Sequence, residues 1–321
     1  MKRFAWLGLL VALCAFGATQ AQTFPNRTVT IVVPYPPGGG TDTVARSLAV
    51  ALGAHWGQSV IVENFSGADG MIGTQRVQRA AADGYMILMQ VNQMLLSKNQ
   101  AGGNAIDDFR LLSKIQTSPL SFVVPGNLPV TNFAEFTNWC KGNAKSCSWA
   151  SATKYGHLIG RQLMGDAGLK DALQVSYKGT APMINDLVGG HVKLALPAVP
   201  TALPLHRNGQ LKVLAVGSTR RFPALPEVPT LVESGFQVFG ESWYGLMVHK
   251  DTPEAVFVRI VEGVRVAAKD ERLNTAIDKA GGVAVFGSPA EFKDDVRKEI
   301  EYLDGIAARY PDRSVEKQDS K

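Results

Sequence analysis

The apolar pattern changes period along residues 28–57. "TVTIVVPY" is a β-branched run of strand length, while "TDTVARSLAVALGAHWG" places apolar residues at three- and four-residue steps, the spacing of one helix face. The alternation repeats. "QSVIVENF" reads as a strand and "TQRVQRAAA" as a helix, with "GYMILMQV" as a third strand. Strand, turn and helix in succession predict a parallel sheet with helices on its faces. From about residue 120 the pattern restarts. "LSFVVPG" is a strand, "NFAEFTNWCKG" a helix and "SCSWASATKYGHLIGRQLMGDAG" another strand-turn-helix unit, continued by "LQVSYKG", "APMINDLVGG", "VKLALPA" and "LKVLAVGS". A helix is expected after the proline-rich "RFPALPEVPT", then the strand "SWYGLMVHK". Two long helices, about 253–269 and 289–308, and a frayed charged tail, "PDRSVEKQDSK", end the chain. Two α/β lobes with no linker between them imply that the chain crosses more than once.

Two glycine-rich turns interrupt this pattern. "PPGGGTDT" follows the first strand and "SGADGMIG" the second, so both sit at the carboxyl ends of the sheet, where open α/β sheets bind ligands. Bare backbone before a helix brings N–H groups, and the positive end of the helix dipole, close to an anion. The competing reading is a tight turn that needs glycine only for its geometry.

Composition narrows the picture. The chain has 321 residues, 45% hydrophobic and 19% charged, the profile of a globular protein of two ordinary domains. A formal charge of +5 without dense Lys/Arg runs supports a mild preference for anions and no nucleic-acid partner. "MKR", the apolar "FAWLGLLVALCAFGA" and the small-residue "TQAQ" read as a signal peptide over residues 1–21, cleaved after Ala21, which implies export. The apolar run is short for a spanning helix, and Leu13 before Cys14 is a poor lipid-attachment site. Loss of Lys2 and Arg3 with the leader lowers the formal charge to +3. The two remaining cysteines, Cys140 and Cys147, meet an oxidising compartment; a local disulfide is the favoured reading and two free thiols the alternative.

Catalytic and cofactor motifs are missing. The chain has no Gly-x-Ser-x-Gly elbow, His-Glu-x-x-His or Cys-x-x-Cys, and "PPGGGTDT" has neither Walker nor dinucleotide spacing. The five histidines are dispersed, with His157 alone following a strand-to-helix turn. No catalytic residue, metal ligand or cofactor is assigned.

Seven ordered segments carry a resemblance: "VVPYPPGGGTDTVAR", "VENFSGADGMIG", "ADGYMIL", "DDFRLLSKI", "YKGTAPMINDLVGGHV", "PTALPLHRNGQLKVLAVGSTRRFPALPEVPTLVESG" and "SWYGLMVHKDTP". With them the chain resembles the periplasmic solute-binding receptors of tripartite tricarboxylate transporters, the Bug proteins. The resemblance implies a two-lobed periplasmic-binding-protein (flytrap) fold, each lobe a mixed sheet flanked by helices. Residues 22–122 and 242–321 would form lobe 1, and 123–241 lobe 2. It further implies that the glycine-rich loops grip a carboxylate, with Tyr35, Gly39, Gly40, Thr41 and Asp42 on one loop and Ala68 and Gly70 on the other. Asn92 would read polar groups on the ligand. Ser151, Thr153, Lys154 and His157 would face its far end, and Tyr177, Lys178 and Gly179 would close the second wall.

The chain departs from this family pattern at two places. "SATKYGHL" is two residues shorter than the usual second-lobe turn and carries Lys154 and Tyr155 where small residues are common; Lys154 could offer a cation to a second acidic group, or Tyr155 a stacking face. Asp69 stands where glycine is common and is expected to point to solvent. The expected function is a periplasmic receptor, monomeric by default, that captures a small organic acid and delivers it to a membrane permease. A ligand sensor acting on a signalling partner and a secreted hydrolase are the alternatives.

Overall fold

The computed structural model describes residues 24–98 and 101–312. The signal peptide assigned to residues 1–21 and the tail from residue 313 lie outside the described residues. Two mixed sheets organise the rest. The first has the strand order β11-β4-β10-β3-β1-β2, with β1 Val29–Val33, β2 Val60–Asn64, β3 Met86–Val91, β4 Phe109–Pro119, β10 Glu241–His249 and β11 Val283–Ala284. The second runs β7-β6-β8-β5-β9, with β5 Ser121–Pro125, β6 Ser148–Ser151, β7 Leu173–Ser176, β8 Leu194–Ala195 and β9 Leu211–Val216. The predicted parallel pairing holds for β1 with β2 and β3, and for β6 with β7 and β8. β10 joins β3 and β4 antiparallel, and β5 joins β8 and β9 the same way.

Helices α1 (Gly40–Trp56) and α2 (Met71–Gln78) follow β1 and β2. α1 buries Val44, Ala45, Leu48, Ala49 and Leu52 against the first sheet and stops at Gly57, which adopts φ 65° and donates to the Gly53 carbonyl. In the second layer α3 (Phe133–Gly142), α4 (Lys154–Asp166), α5 (Thr180–Val188) and α6 (Val199–Arg207) flank the sheet. Cys140 and Cys147 are disulfide-bonded across the end of α3.

The C-terminal region holds α7 (Glu254–Ala267), α8 (Glu271–Lys279) and α9 (Pro289–Arg309). α7 and α9 match the two long helices read from the periodicity, and α8, capped by Asp270, is an addition. The helix expected after the proline-rich segment does not form. Residues 231–235 make a single turn that Gly235, at φ 91°, terminates, and the Phe236 amide bonds back to Leu231. The tail is not frayed from its start, because Asp312 pairs with Arg161 at 2.6 Å.

The chain passes between sheets with little slack. Only Leu120 separates β4 from β5, and residues 217–240 lead back to β10. At the junction the Leu120 amide donates to Gly240, the Gly217 amide to Leu120 and the Gly240 amide to Gly217, at 2.7–2.9 Å. A Cβ at Gly217 would lie 2.6 Å from the Gly240 carbonyl oxygen, so backbone approach excludes a side chain there. α9 is a third tie. It packs on β4, while Tyr302 donates to Gln162 of α4 at 2.6 Å.

Candidate ligand-binding cleft

The turn after β1 is held open by Asp42. Its carboxylate is 3% exposed and accepts from the Gly38 amide (2.9 Å), the Arg46 guanidinium (2.9 Å) and the Asn64 amide (3.0 Å). Burial alone would raise this carboxyl, but these donors hold it below the usual range. Asn64 also donates to the Tyr35 carbonyl at 3.1 Å, tying β2 to the same turn. The Asp42 side chain is therefore spent on the loop. What remains is the backbone. Gly39, the N-cap, offers no side chain, and the amides of Gly40, Thr41 and Asp42 meet no acceptor among the described residues. Three N–H groups at the positive end of a seventeen-residue helix are thus left in an arrangement that suits an anion.

One tyrosine stands over these amides and another over the second loop. A Cβ on Gly40 would lie 2.7 Å from the Tyr244 hydroxyl, which is also close enough to the Thr41 side chain to be influenced by it. Tyr35 donates to Gln90 at 2.6 Å, and its hydroxyl would lie 3.0 Å from a Cβ on Gly70. Burial pushes both phenols up, so both stay protonated donors at neutral pH. Gln90 continues to Thr74 (2.9 Å) and Thr74 to the Gly70 carbonyl (2.8 Å), so a buried polar chain runs beneath the second loop.

That second loop is strained. Gly67, Ala68, Asp69 and Gly70 all have positive φ, two of them without the freedom of glycine. The turn closes with the Gly70 amide on Gly67 at 3.0 Å, leaving the Ala68 and Asp69 amides without an acceptor among the described residues. Gly70 therefore shapes the loop rather than supplying a free donor. Asp69 does not stand alone in solvent: it meets Lys154, the first residue of α4, at 2.9 Å. The two lobes touch through charge at this point.

Most of the other residues assigned from sequence are used inside the protein. Asn92 is 2% exposed and donates to the Glu241 carbonyl (3.0 Å) and Glu299 (2.7 Å). Ser151 and Thr153 build the start of α4, the Thr153 hydroxyl capping the Gly156 amide at 3.0 Å. The Tyr155 ring offers no stacking face, because it is buried and its hydroxyl donates across the lobes to the Glu241 carbonyl at 3.2 Å. His157 packs edge-on to Trp149, and burial pushes its pKa down. Tyr177 donates to Asp186 at 2.6 Å; Lys178 is exposed; Gly179 caps α5 at φ 124°. The structure thus gathers Tyr35, Gly39 to Asp42, Ala68, Gly70 and Lys154, turns Asn92, Ser151, Thr153, His157, Tyr177 and Gly179 to support, and leaves Lys178 exposed.

Sequence reasoning missed Tyr244 and Gln116, paired neighbours on β10 and β4. Gln116 is fully buried, both amide atoms lack a partner, and it abuts Gly282 beside the Gly281 contact with Pro200 of α6. Neither lies in a motif; an aromatic or glutamine in an apolar strand reads as core. A separate cavity of about 1000 Å³ lies between β4, α7 and α9 and includes none of the assigned residues. Its walls are mainly apolar, and its Arg110 is committed to Glu254 and the Thr252 carbonyl.

The tripartite tricarboxylate transporter family receptor model matches residues 44–293. The chain belongs to that receptor family. Over 316 residues it is 29% identical to protein BugT of Bordetella pertussis, covering 95% of this chain and 96% of that one. The structure of the periplasmic binding protein BugD superposes with a TM-score of 0.74 at 31% identity, covering 89% of this chain and 98% of BugD. An R. palustris receptor with adipate gives a TM-score of 0.74 at 28% identity over 89% and 97% of the two chains. The two-lobed binding-protein architecture is shared with these relatives. As a member of this receptor family the protein is a solute-binding protein and not an enzyme.

Proposed function

We propose that this receptor is exported to the periplasm, captures a small organic carboxylate between its lobes and presents it to a tripartite-type membrane permease. The observation that carries the reading is the set of three unengaged amides at the start of α1, beneath the Tyr244 hydroxyl. A carboxylate there takes charge-assisted hydrogen bonds from backbone that is already fixed, so little ordering cost opposes binding. The adipate seated in a relative supports the same ligand class. Affinity arises because the ligand contacts both lobes only when they approach, which shifts the population toward the closed form.

The test is a thermal-shift and calorimetric screen of mature protein freed of ligand by unfolding and refolding. A bound carboxylate at a hundred times its dissociation constant stabilises the fold by roughly 2.7 kcal/mol. In Gly40→Ala the added methyl crowds the Tyr244 hydroxyl, and affinity is expected to fall at least tenfold, about 1.4 kcal/mol. The variant should fold normally, since alanine favours helix. Gly40→Ala binding carboxylates as tightly as the native protein would remove the amide clamp from the account.

A further inference from the structure

The ion pair between Asp69 and Lys154 joins two charges that each sit in the wrong place alone. Asp69 projects from a loop whose Ala68 and Asp69 amides face no acceptor, beside a helix end built for an anion. A carboxylate there repels an anionic ligand. Lys154 is the first residue of the thirteen-residue helix α4, where the helix dipole disfavours a cation. Brought to 2.9 Å across the gap between the lobes, the two cancel. Their side chains remain 48% and 72% exposed, so the pair lies open to solvent rather than locked in the core.

We infer that Asp69 occupies Lys154 in place of a second ligand carboxylate, so that the receptor selects acids carrying one carboxylate and an uncharged far end. The inference rests on the carboxylate reading above and sharpens it. A ligand's first carboxylate takes the amides of Gly40, Thr41 and Asp42. Its far end then meets a neutral ammonium–carboxylate pair. A second carboxylate must either approach Asp69 or break it from Lys154, and both oppose binding. A neutral hydroxyl, amide or aromatic end meets no such opposition. The relative with adipate shows that a related scaffold accommodates a dicarboxylate, against which the Asp69–Lys154 pair of this chain is to be tested.

The experiment compares matched acids on three frames by calorimetry: butanoate with succinate, hexanoate with adipate, and benzoate with terephthalate. Native protein is expected to bind the monocarboxylate of at least one frame more tightly than its dicarboxylate. Asp69→Asn keeps the shape, and asparagine tolerates the positive φ of this position. It frees Lys154 and should shift the ratio toward the dicarboxylate by about fivefold or more. Lys154→Met leaves Asp69 uncompensated and should shift the ratio the other way, penalising dicarboxylates most. A misfolded variant would lose both acids together, whereas the ratio moves only if the pair reads charge. Intact binding with unchanged ratios in both variants would overturn the inference and leave the carboxylate reading standing. A native preference for the dicarboxylate on every frame that binds would also overturn it. Failure of all six acids on native protein would overturn both.

Discussion

At the scale of single residues, the cleft depends on side chains that a ligand never touches. Asp42 has three donors, so its task is to hold Gly38 and Asn64 and leave the next amides free. Asp42→Ala should cost about 2–3 kcal/mol in chemical unfolding, because three polar groups lose their acceptor. It should also abolish carboxylate binding by loosening the turn. A loss under 0.5 kcal/mol would mean that water replaces the carboxylate without strain. The sequence predicted bare glycine backbone before a helix here; it did not show which groups stay free. A free N–H and a bonded one are identical in the alphabet of residues. Asn92 makes the same point in reverse, since a polar residue after a strand reads as a ligand contact until Glu299 is seen to occupy it.

At the scale of elements, periodicity located the helices that bury one face and the strands that bury both. α1 and α9 are legible because apolar spacing and end signals agree: Gly57 closes one, and Ser288, Pro289 and Glu291 open the other with a reciprocal cap. The proline-rich 221–230 segment misled because a turn and a short helix share the same local bonds, and only Gly235 decides that the turn stops. α6 escaped notice because Pro200 and Pro204 suggest a loop, although Pro200 sits in the first helical turn, where its missing N–H costs nothing. Antiparallel β10 and β4 were beyond local reading. Their pairing joins residues more than a hundred positions apart, and that closure puts Tyr244 over Gly40.

At the scale of the molecule, the lobes are tied by the Leu120, Gly217 and Gly240 backbone junction and by α9, with the Asp69–Lys154 pair at the opposite loops. Beside the junction lies a half-buried acid. Glu299 accepts from Asn92 (2.7 Å) and Trp243 (2.6 Å), with Lys114 and Glu241 also acting on it. Burial raises its carboxyl above 4.5, and these hydrogen bonds oppose the rise only in part. A raised folded-state pKa stabilises the fold fully below the unfolded value, and that contribution is lost as pH rises through the folded one. Glu299→Gln should therefore be least stable relative to native protein near pH 4.5, with the Tm gap narrowing toward pH 8. A gap that widens with pH would show that the ionised form is the one the fold prefers.

The most direct measurement is an amide-resolved titration of ¹⁵N-labelled, ligand-free receptor with hexanoate and then adipate. Carboxylate capture at the start of α1 places the largest shifts at Gly40, Thr41 and Asp42, with a second set at Asp69 and Lys154. Shifts confined to the cavity around Phe257 and Lys293, with the α1 amides unmoved, would contradict a clamp at the glycine-rich turn.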